Sequence, residues 1–363
     1  MADWSHLPQE LLHQIAQALE THFDILHFRA VCSSWRASVP YNLLPPPSYS
    51  RLLKLILEDE DGEKSSTFVL QRPISIFKFH GLHNQRIPHF WLVKLEEDDE
   101  SGQIHILNPL SSSKMKPQYP KVLDISTLEV QELALEYIIQ GTDYAGTTTA
   151  KAAYWFPNPK DDCQRYVVFI EAGDLYLFKF GDEEATKIEE EGSWSPFYDD
   201  FIQFKGKFYA VDNMGTTIAV EPCSRTATPV TGKLTFSGEK KFLVQSFGKL
   251  LLVDIFRASK SIYGDPYGKT LWFQVFQLDE ERKRWDLVKS LGDRILFLGK
   301  YCNFSASRIP GVQGNCIVFS NEAVDEYGEL KGDAVYVFQM RNQRVIPLQD
   351  FDGYLYLFRP PLL

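Results

Sequence analysis

The residues best equipped for chemistry are histidines, cysteines and paired acids, and their placement argues against catalysis. His80, His83 and His89 have loose metal-like spacing with Trp91 nearby. Three histidines can hold zinc, but these follow no helical repeat and have no cysteine or acid at ligand spacing. They are read as ordinary loop histidines, and neither a metal nor any other cofactor is expected. With His6, His13, His22, His27 and His105 they make a set of eight, all at or before position 105. A Ser-His-Asp or Cys-His apparatus in the remaining chain would have to import its base from that first stretch. Asp161-Asp162 and Asp199-Asp200 are paired acids of the kind a glycosidase could use. Such pairs are common on surfaces, and both are read as solvated turns. Gly-x-Gly-x-x-Gly, P-loop and Gly-x-Ser-x-Gly motifs are all missing from the sequence.

Composition narrows the class further. The five cysteines, Cys32, Cys163, Cys223, Cys302 and Cys316, are odd in number and include no Cys-x-x-Cys. A disulfide framework is therefore not expected, and a reducing compartment, cytoplasm or nucleus, is the simpler reading. The net charge of −10, with no cluster of Lys and Arg, excludes non-specific nucleic-acid or anionic-membrane binding. The N-terminus lacks a basic start followed by an apolar run, so no secretory signal is expected. No apolar stretch is long enough to predict a membrane-spanning helix. Aromatics at 14%, with 22 Gly and 20 Pro, favour strands and turns over helices.

Two textures divide the chain. In residues 5–39 the apolar positions follow helical spacing. Ser5 and Pro8 mark a helix start, and Leu11, Leu12, Ile15 and Leu19 make one stripe. Asp24 can cap a second helix, in which Phe28, Val31, Cys32 and Trp35 share a face. Two short amphipathic helices cannot close a core alone, so they must pack on the rest of the chain or on a partner. Pro45-Pro46-Pro47 follow and predict a stiff extended linker.

Beyond the linker a Gly-polar-apolar pattern recurs, each copy read as a hairpin turn feeding a strand. It appears as Gly102-Gln103-Ile104-His105-Ile106-Leu107 and Gly173-Asp174-Leu175-Tyr176-Leu177-Phe178. Further copies are Gly206-Lys207-Phe208-Tyr209-Ala210-Val211, Gly248-Lys249-Leu250-Leu251-Leu252-Val253 and Gly353-Tyr354-Leu355-Tyr356-Leu357-Phe358. Looser copies start at Gly314 and Gly332. The strands are apolar on both faces, which implies cover on both sides. The steps from 173 to 206 and from 206 to 248, 33 and 42 residues, are near the period of a four-stranded propeller blade. The fold class expected is mainly β, a propeller of six or seven blades behind a short helical segment. Trp285 and Phe297, set among Leu287, Val288, Leu291, Ile295, Leu296 and Leu298, are expected in the core between blades.

Leu7-Pro8-Gln9-Glu10-Leu11-Leu12 and Phe28-Arg29-Ala30-Val31-Cys32-Ser33-Ser34-Trp35-Arg36 resemble the F-box at nearly every anchor and at the expected spacing. The resemblance implies docking on a Skp-type adaptor and, through it, a cullin scaffold. The contact residues it implies are Leu7, Pro8, Leu11, Leu12, Ile15, Leu19, Val31 and Trp35. Of these, Val31 and Trp35, with Cys32, are expected chiefly to hold the helices together. The remainder resembles the KIB-type propeller of plant F-box proteins. The matching stretches are Ile106-Leu107-Asn108-Pro109-Leu110, residues 204–212, Trp285 with Ser290-Leu291-Gly292-Asp293, Leu296-Phe297-Leu298-Gly299, and residues 311–317.

The domain reading is an F-box over 1–44, a proline-rich linker over 45–50 and a propeller over 51–363. The resemblance implies a non-catalytic substrate receptor of an SCF-type ubiquitin ligase, the propeller binding a protein substrate whose identity the loops do not encode. The alternative is a propeller hydrolase or sugar-binding protein with a helical cap. Since no closed ligand set exists in the sequence, chelation should leave folding unchanged. Stoichiometric zinc or calcium in the purified protein, with unfolding in a chelator, would contradict that expectation.

Overall fold

The computed structural model describes residues 7–17, 28–29, 31–38, 51–58, 64–79, 89–97, 104–111, 113–115, 128–143, 146–155, 165–189, 196–259, 269–324, 334–351 and 353–360. The proline linker, Leu19, Asp24, His80, His83, Cys163 and Asp161-Asp162 lie outside them.

Two short helices, Gln9–Gln17 and Ser33–Ser38, lie at the N-terminal end. The body is made of strands. In chain order they are β1 Arg51–Glu58, β2 Lys64–Phe79, β3 His89–Glu97, β4 Ile104–Leu107, β5 Leu128–Asp143, β6 Gly146–Trp155, β7 Tyr166–Glu171 and β8 Asp174–Lys179. β9 Thr186–Lys187, β10 Tyr198–Phe204, β11 Lys207–Asp212, β12 Thr217–Glu221, β13 Thr226–Thr231, β14 Lys240–Ser246 and β15 Lys249–Ser259 follow. The last are β16 Lys269–Asp279, β17 Arg284–Val288, β18 Arg294–Leu298, β19 Asn303–Ser307, β20 Cys316–Ser320, β21 Val335–Gln339 and β22 Arg344–Pro347.

Among the described residues these strands form four sheets. β10–β13 and β14–β17 are four-stranded and antiparallel in sequence order. The fourth sheet in chain order has five strands, β19-β18-β20-β21-β22, with β18 and β20 parallel. The first sheet is larger than a blade. It holds nine strands, in the path β4-β3-β2-β5-β6-β7-β8-β9 with β1 on the flank of β2. The cause is the length of β2 and β5, 16 residues each, which pair nearly end to end and fuse two runs of blade size. On its other edge β2 pairs with β1 up to Leu70 and with β3 from Ile74. Pro73 falls in the gap between them, next to a register shift, where a residue without an N–H is tolerated.

The glycine pattern works as expected at three hairpins. Ala172-Gly173 is a two-residue turn between β7 and β8, with φ of 50° and 86°. Positive φ at both turn residues gives the backbone twist that matches the flanking strands. Lys205-Gly206 and Phe247-Gly248 repeat the arrangement. The copy at Gly353 does not feed a strand. Tyr354–Leu357 is a short helix whose buried Tyr354 donates from its hydroxyl to the Gln313 carbonyl at 2.5 Å. A Cβ on Gly353 would lie 2.3 Å from the Gly311 carbonyl oxygen, so this glycine serves close packing.

Four apolar layers lie between successive sheets. Val168, Leu177, Phe201 and Phe208 join the first sheet to the second. Val211, Leu243, Leu252 and Trp285 join the second to the third. Phe273, Leu296, Phe319 and Phe338 join the third to the fourth. Ile74, Leu92, Phe297 and Phe304 bring the fourth back against the first. Trp285 and Phe297 are therefore core residues, and Trp285 donates from its indole N–H to buried Thr217 at 3.1 Å. Leu287, expected to share that packing, is exposed instead, on the outermost strand of its sheet.

The inner edge of this arrangement is held by side chains. Among the described residues β14 pairs only with β15, so its other edge has no strand partner there. The free amide of Lys241 donates to Asp199 at 3.0 Å, and that of Leu243 to Asp200 at 2.7 Å. Carbonyls of the same edge accept from Asn303 and Ser305. Asp200 is buried, and its carboxylate also accepts from Lys151 of β6 and, at 2.9 Å, from the Asn303 amide of β19. One side chain of the second sheet thus bonds to each of the other three. The expectation that Asp199-Asp200 is a solvated turn is corrected: both sit in β10, and their acidity is used on a neighbouring backbone.

Replacing Asp200 with Ala should cost about 3–5 kcal/mol, because it strands a part-buried ammonium, an amide N–H and a carboxamide. Denaturant unfolding measures this. A loss under about 1 kcal/mol would refute the cross-linking role.

Candidate functional site

The N-terminal helices carry the residues the sequence marks most strongly. The Gln9–Gln17 helix opens at Pro8, whose carbonyl accepts from the amides of Leu11 and Leu12 at 3.1 Å. Proline suits this place, because its missing N–H would have no intrahelical partner there anyway. Leu12 and Ala16, four residues apart, turn inward and pack with Phe28, and Leu7 and Trp35 flank them. The Phe28 and Trp35 rings meet at 4.6 Å between centroids. Two reciprocal bonds lock the second segment. The Arg29 guanidinium donates to the Arg36 carbonyl at 3.3 Å, and Arg36 donates back to the Arg29 carbonyl at 3.2 Å.

That small core is fully used on one side and leaves an apolar face on the other. Leu11 is 45% exposed and Ile15 is 40% exposed, one helical turn apart on the same face. Val31 is 56% exposed. Of the residues the sequence singles out, Leu12 and Trp35 hold the pair together, Leu7 is half-buried beside them, and Pro8, Leu11, Ile15 and Val31 face outward. Val31 was expected inside and lies outside. It is three residues from Phe28 and four from Trp35, but the turn before Ser33–Ser38 breaks the continuous helix that this spacing assumes.

A second constellation was missed in the sequence. Lys151, Asp199, Asp200, Lys240, Lys300 and Asn303 line a cavity of about 110 Å³ where β6, β10, β14 and β19 converge. Nothing local signals it, because its six polar residues come from four separate stretches of chain. Elsewhere, charge is buried as ion pairs. Lys94 and Glu136 meet at 2.9 Å, with Arg72 at 3.3 Å from the same carboxylate. Lys241 and Asp254, both wholly buried, meet at 3.2 Å. Burial raises the pKa of Asp254 above the usual carboxylate range, against the opposing pull of the Gly238 amide and Lys241.

The family model described as F-box-like matches residues 4–44, and the one described as KIB1-4 beta-propeller matches residues 57–340. F-box protein SKIP23 of Arabidopsis thaliana is 32% identical over 99% of this chain and 95% of its own length. Another F-box protein of the same plant is 31% identical over 99% of this chain and 94% of its own. A putative F-box/kelch-repeat protein of A. thaliana is 28% identical over 99% and 98%.

The described cysteines differ in burial, and two of them are withdrawn from solvent. Cys302 is buried, and desolvation, with Glu136 adding to it, pushes its pKa up to about 12. Burial also raises that of Cys316. A thiol with a raised pKa is almost wholly protonated near neutral pH and is a poor nucleophile. Cys223, in contrast, is exposed. Iodoacetamide on the native protein should alkylate Cys223 first and reach Cys302 only after unfolding. Peptide mass mapping reads the order, and equal rates at both sites would contradict the burial.

Proposed function

The chain belongs to the F-box proteins that carry a KIB1-4 β-propeller, and from that premise we propose that it is the substrate-recognition subunit of an SCF-type ubiquitin ligase. At the family level the role is that of a substrate adaptor. The finer reading divides it between two surfaces: the N-terminal helices bind a Skp-type adaptor and through it a cullin, and the β body binds a protein substrate. The ubiquitin-transfer chemistry then belongs to other subunits, and this chain acts as a receptor.

The observation that supports this most is the one-sided packing of the helix pair. Leu12, Ala16 and Phe28 close a small core, while Leu11, Ile15 and Val31 stay in solvent. An apolar helix face of this kind is what a partner helix or groove covers. The motif positions Leu7 and Pro8 extend the same surface in this reading. A helical cap on a free-standing enzyme would instead turn its apolar face toward its own body.

Changing Leu11 and Ile15 together to Asp should weaken adaptor binding by at least about a hundredfold, since it places two unpaired carboxylates in an apolar interface. Both positions are solvent-exposed, so the melting temperature should hold. Affinity for a purified Skp-type adaptor is the measurement, and unchanged affinity in the double variant would overturn the proposal.

A further inference from the structure

A hollow of about 300 Å³ opens where the first sheet meets the fourth. Its apolar lining comes from Ile76 of β2, Phe90 of β3, Leu133 of β5 and Ala306 of β19, with Ile309 beyond. Phe247 of the β14–β15 turn stands at the mouth, 68% exposed. Two of these side chains are placed by unusual backbone. Leu133 is the extra residue of a bulge: Ile74 pairs with Ala134 and Ser75 with Glu132, so no residue of β2 lies opposite it. A bulge re-aims a side chain and interrupts pairing. Phe247 opens its two-residue turn with φ of 50°, the place that Ala172 and Lys205 take in the sister turns. Left-handed backbone disfavours a bulky residue, and a ring left in solvent adds little to folding.

The strands that flank the hollow keep open edges. Among the described residues β19 pairs with β18 alone, and β5 pairs with β6 only from Tyr137 onward, so its earlier residues have β2 alone. Away from the hollow, side chains cover these edges. Asn303 and Ser305 donate to the Leu243 and Gln245 carbonyls of β14, and the Cys302 thiol donates to the Leu135 carbonyl at 3.8 Å. Ser307 is next in that alternation, but β14 has ended at Ser246, and Ser307 lines the hollow instead. Charge is balanced there. Arg308, the one ionisable residue of the lining, is paired with Asp293 at 2.9 Å.

We infer that this hollow is a substrate-docking site, and that it takes an extended, uncharged protein segment which sets one large apolar side chain among Ile76, Leu133 and Phe247. An open strand edge bonds to a backbone whose own N–H and C=O groups are unused, which an extended segment offers and a helix does not. A helix, about 10 Å across, is also too wide for a hollow of this size, whereas a single side chain fits. The charge balance selects the side chain. An ionised group entering the apolar lining would lose its water, and Arg308 is already paired, so an uncharged residue is favoured. The inference rests on the receptor reading and adds the site and the substrate chemistry to it.

The test selects short random peptides, displayed on phage, against the full chain, and measures the survivors as synthetic fluorescent peptides by anisotropy. Survivors should share one Leu, Met, Phe or Trp flanked by uncharged residues. Changing that residue to Asp should weaken binding at least about tenfold, and N-methylation of single backbone amides beside it should do so at one position or more. In the protein, Phe247→Asn and Leu133→Ala should each weaken binding at least about fivefold. Asn tolerates positive φ better than Phe, so the Phe247→Asn variant should melt no lower than the parent. No enriched sequence, a charged residue as the shared anchor, tolerance of every N-methylation, or unchanged affinity in either protein variant overturns the inference. A dimer of the chain alone in sedimentation that Phe247→Asn disperses names a second copy as the occupant and overturns it too. Adaptor affinity measured on the same preparations separates the two claims: its absence sinks the receptor reading, whereas its persistence beside a failed peptide selection sinks the docking site alone.

Discussion

The carboxylate of Asp200 is the point at which the separate sheets of the body become one structure. Sheets stacked side by side bury apolar faces well, but each ends in an inner strand whose edge N–H and C=O groups have no ladder partner. Leaving such groups buried and unpaired costs roughly 1–3 kcal/mol each. Here β14 presents that edge, and Asp199, Asp200, Asn303 and Ser305 answer it from the second and fourth sheets. Lys151 brings in the first sheet and neutralises the buried charge. The apolar layers between sheets supply the bulk of the stabilisation, and this polar junction fixes how the sheets are placed around one another.

The same economy shapes the surface. The cavity beside that carboxylate pair is lined by three lysines and two aspartates. The exposed loops around it are tied by backbone hydrogen bonds, so they can present Phe197, Met214 and Phe236 without collapsing inward. The N-terminal helices follow a different rule. Their core is three residues deep, Leu12, Ala16 and Phe28, and their outer face remains apolar. A segment this small gains most of its stability by being covered.

Much of this was legible in the sequence, and the parts that were not share a cause. The F-box motif is local and tied to helical spacing, so the family could be read directly from it, and Val31 was misplaced only because the chain before Ser33 departs from that spacing. The X-Gly hairpins at 173, 206 and 248 were legible because positive φ at a two-residue turn demands glycine. Gly353 was misread because Tyr354-Leu355-Tyr356-Leu357-Phe358 is apolar throughout, and such a run fits a strand or a buried helix equally. Asp199-Asp200 was misread because the pairing partners of a strand edge lie far away in sequence; Asn303 is 103 residues from Asp200. The fused first sheet was hidden for the same reason, since the length of β2 and β5 shows only when their register is known.

The account's central claim is a division of labour: the helices meet the ligase and the body meets the substrate. Hydrogen exchange on the full chain, with and without a purified Skp-type adaptor, tests it most directly. The account requires new protection in the Gln9–Gln17 and Ser33–Ser38 helices, with the amides of β10, β14 and β19 exchanging as before. Protection spread through those inner strands, or none in either helix, would contradict it.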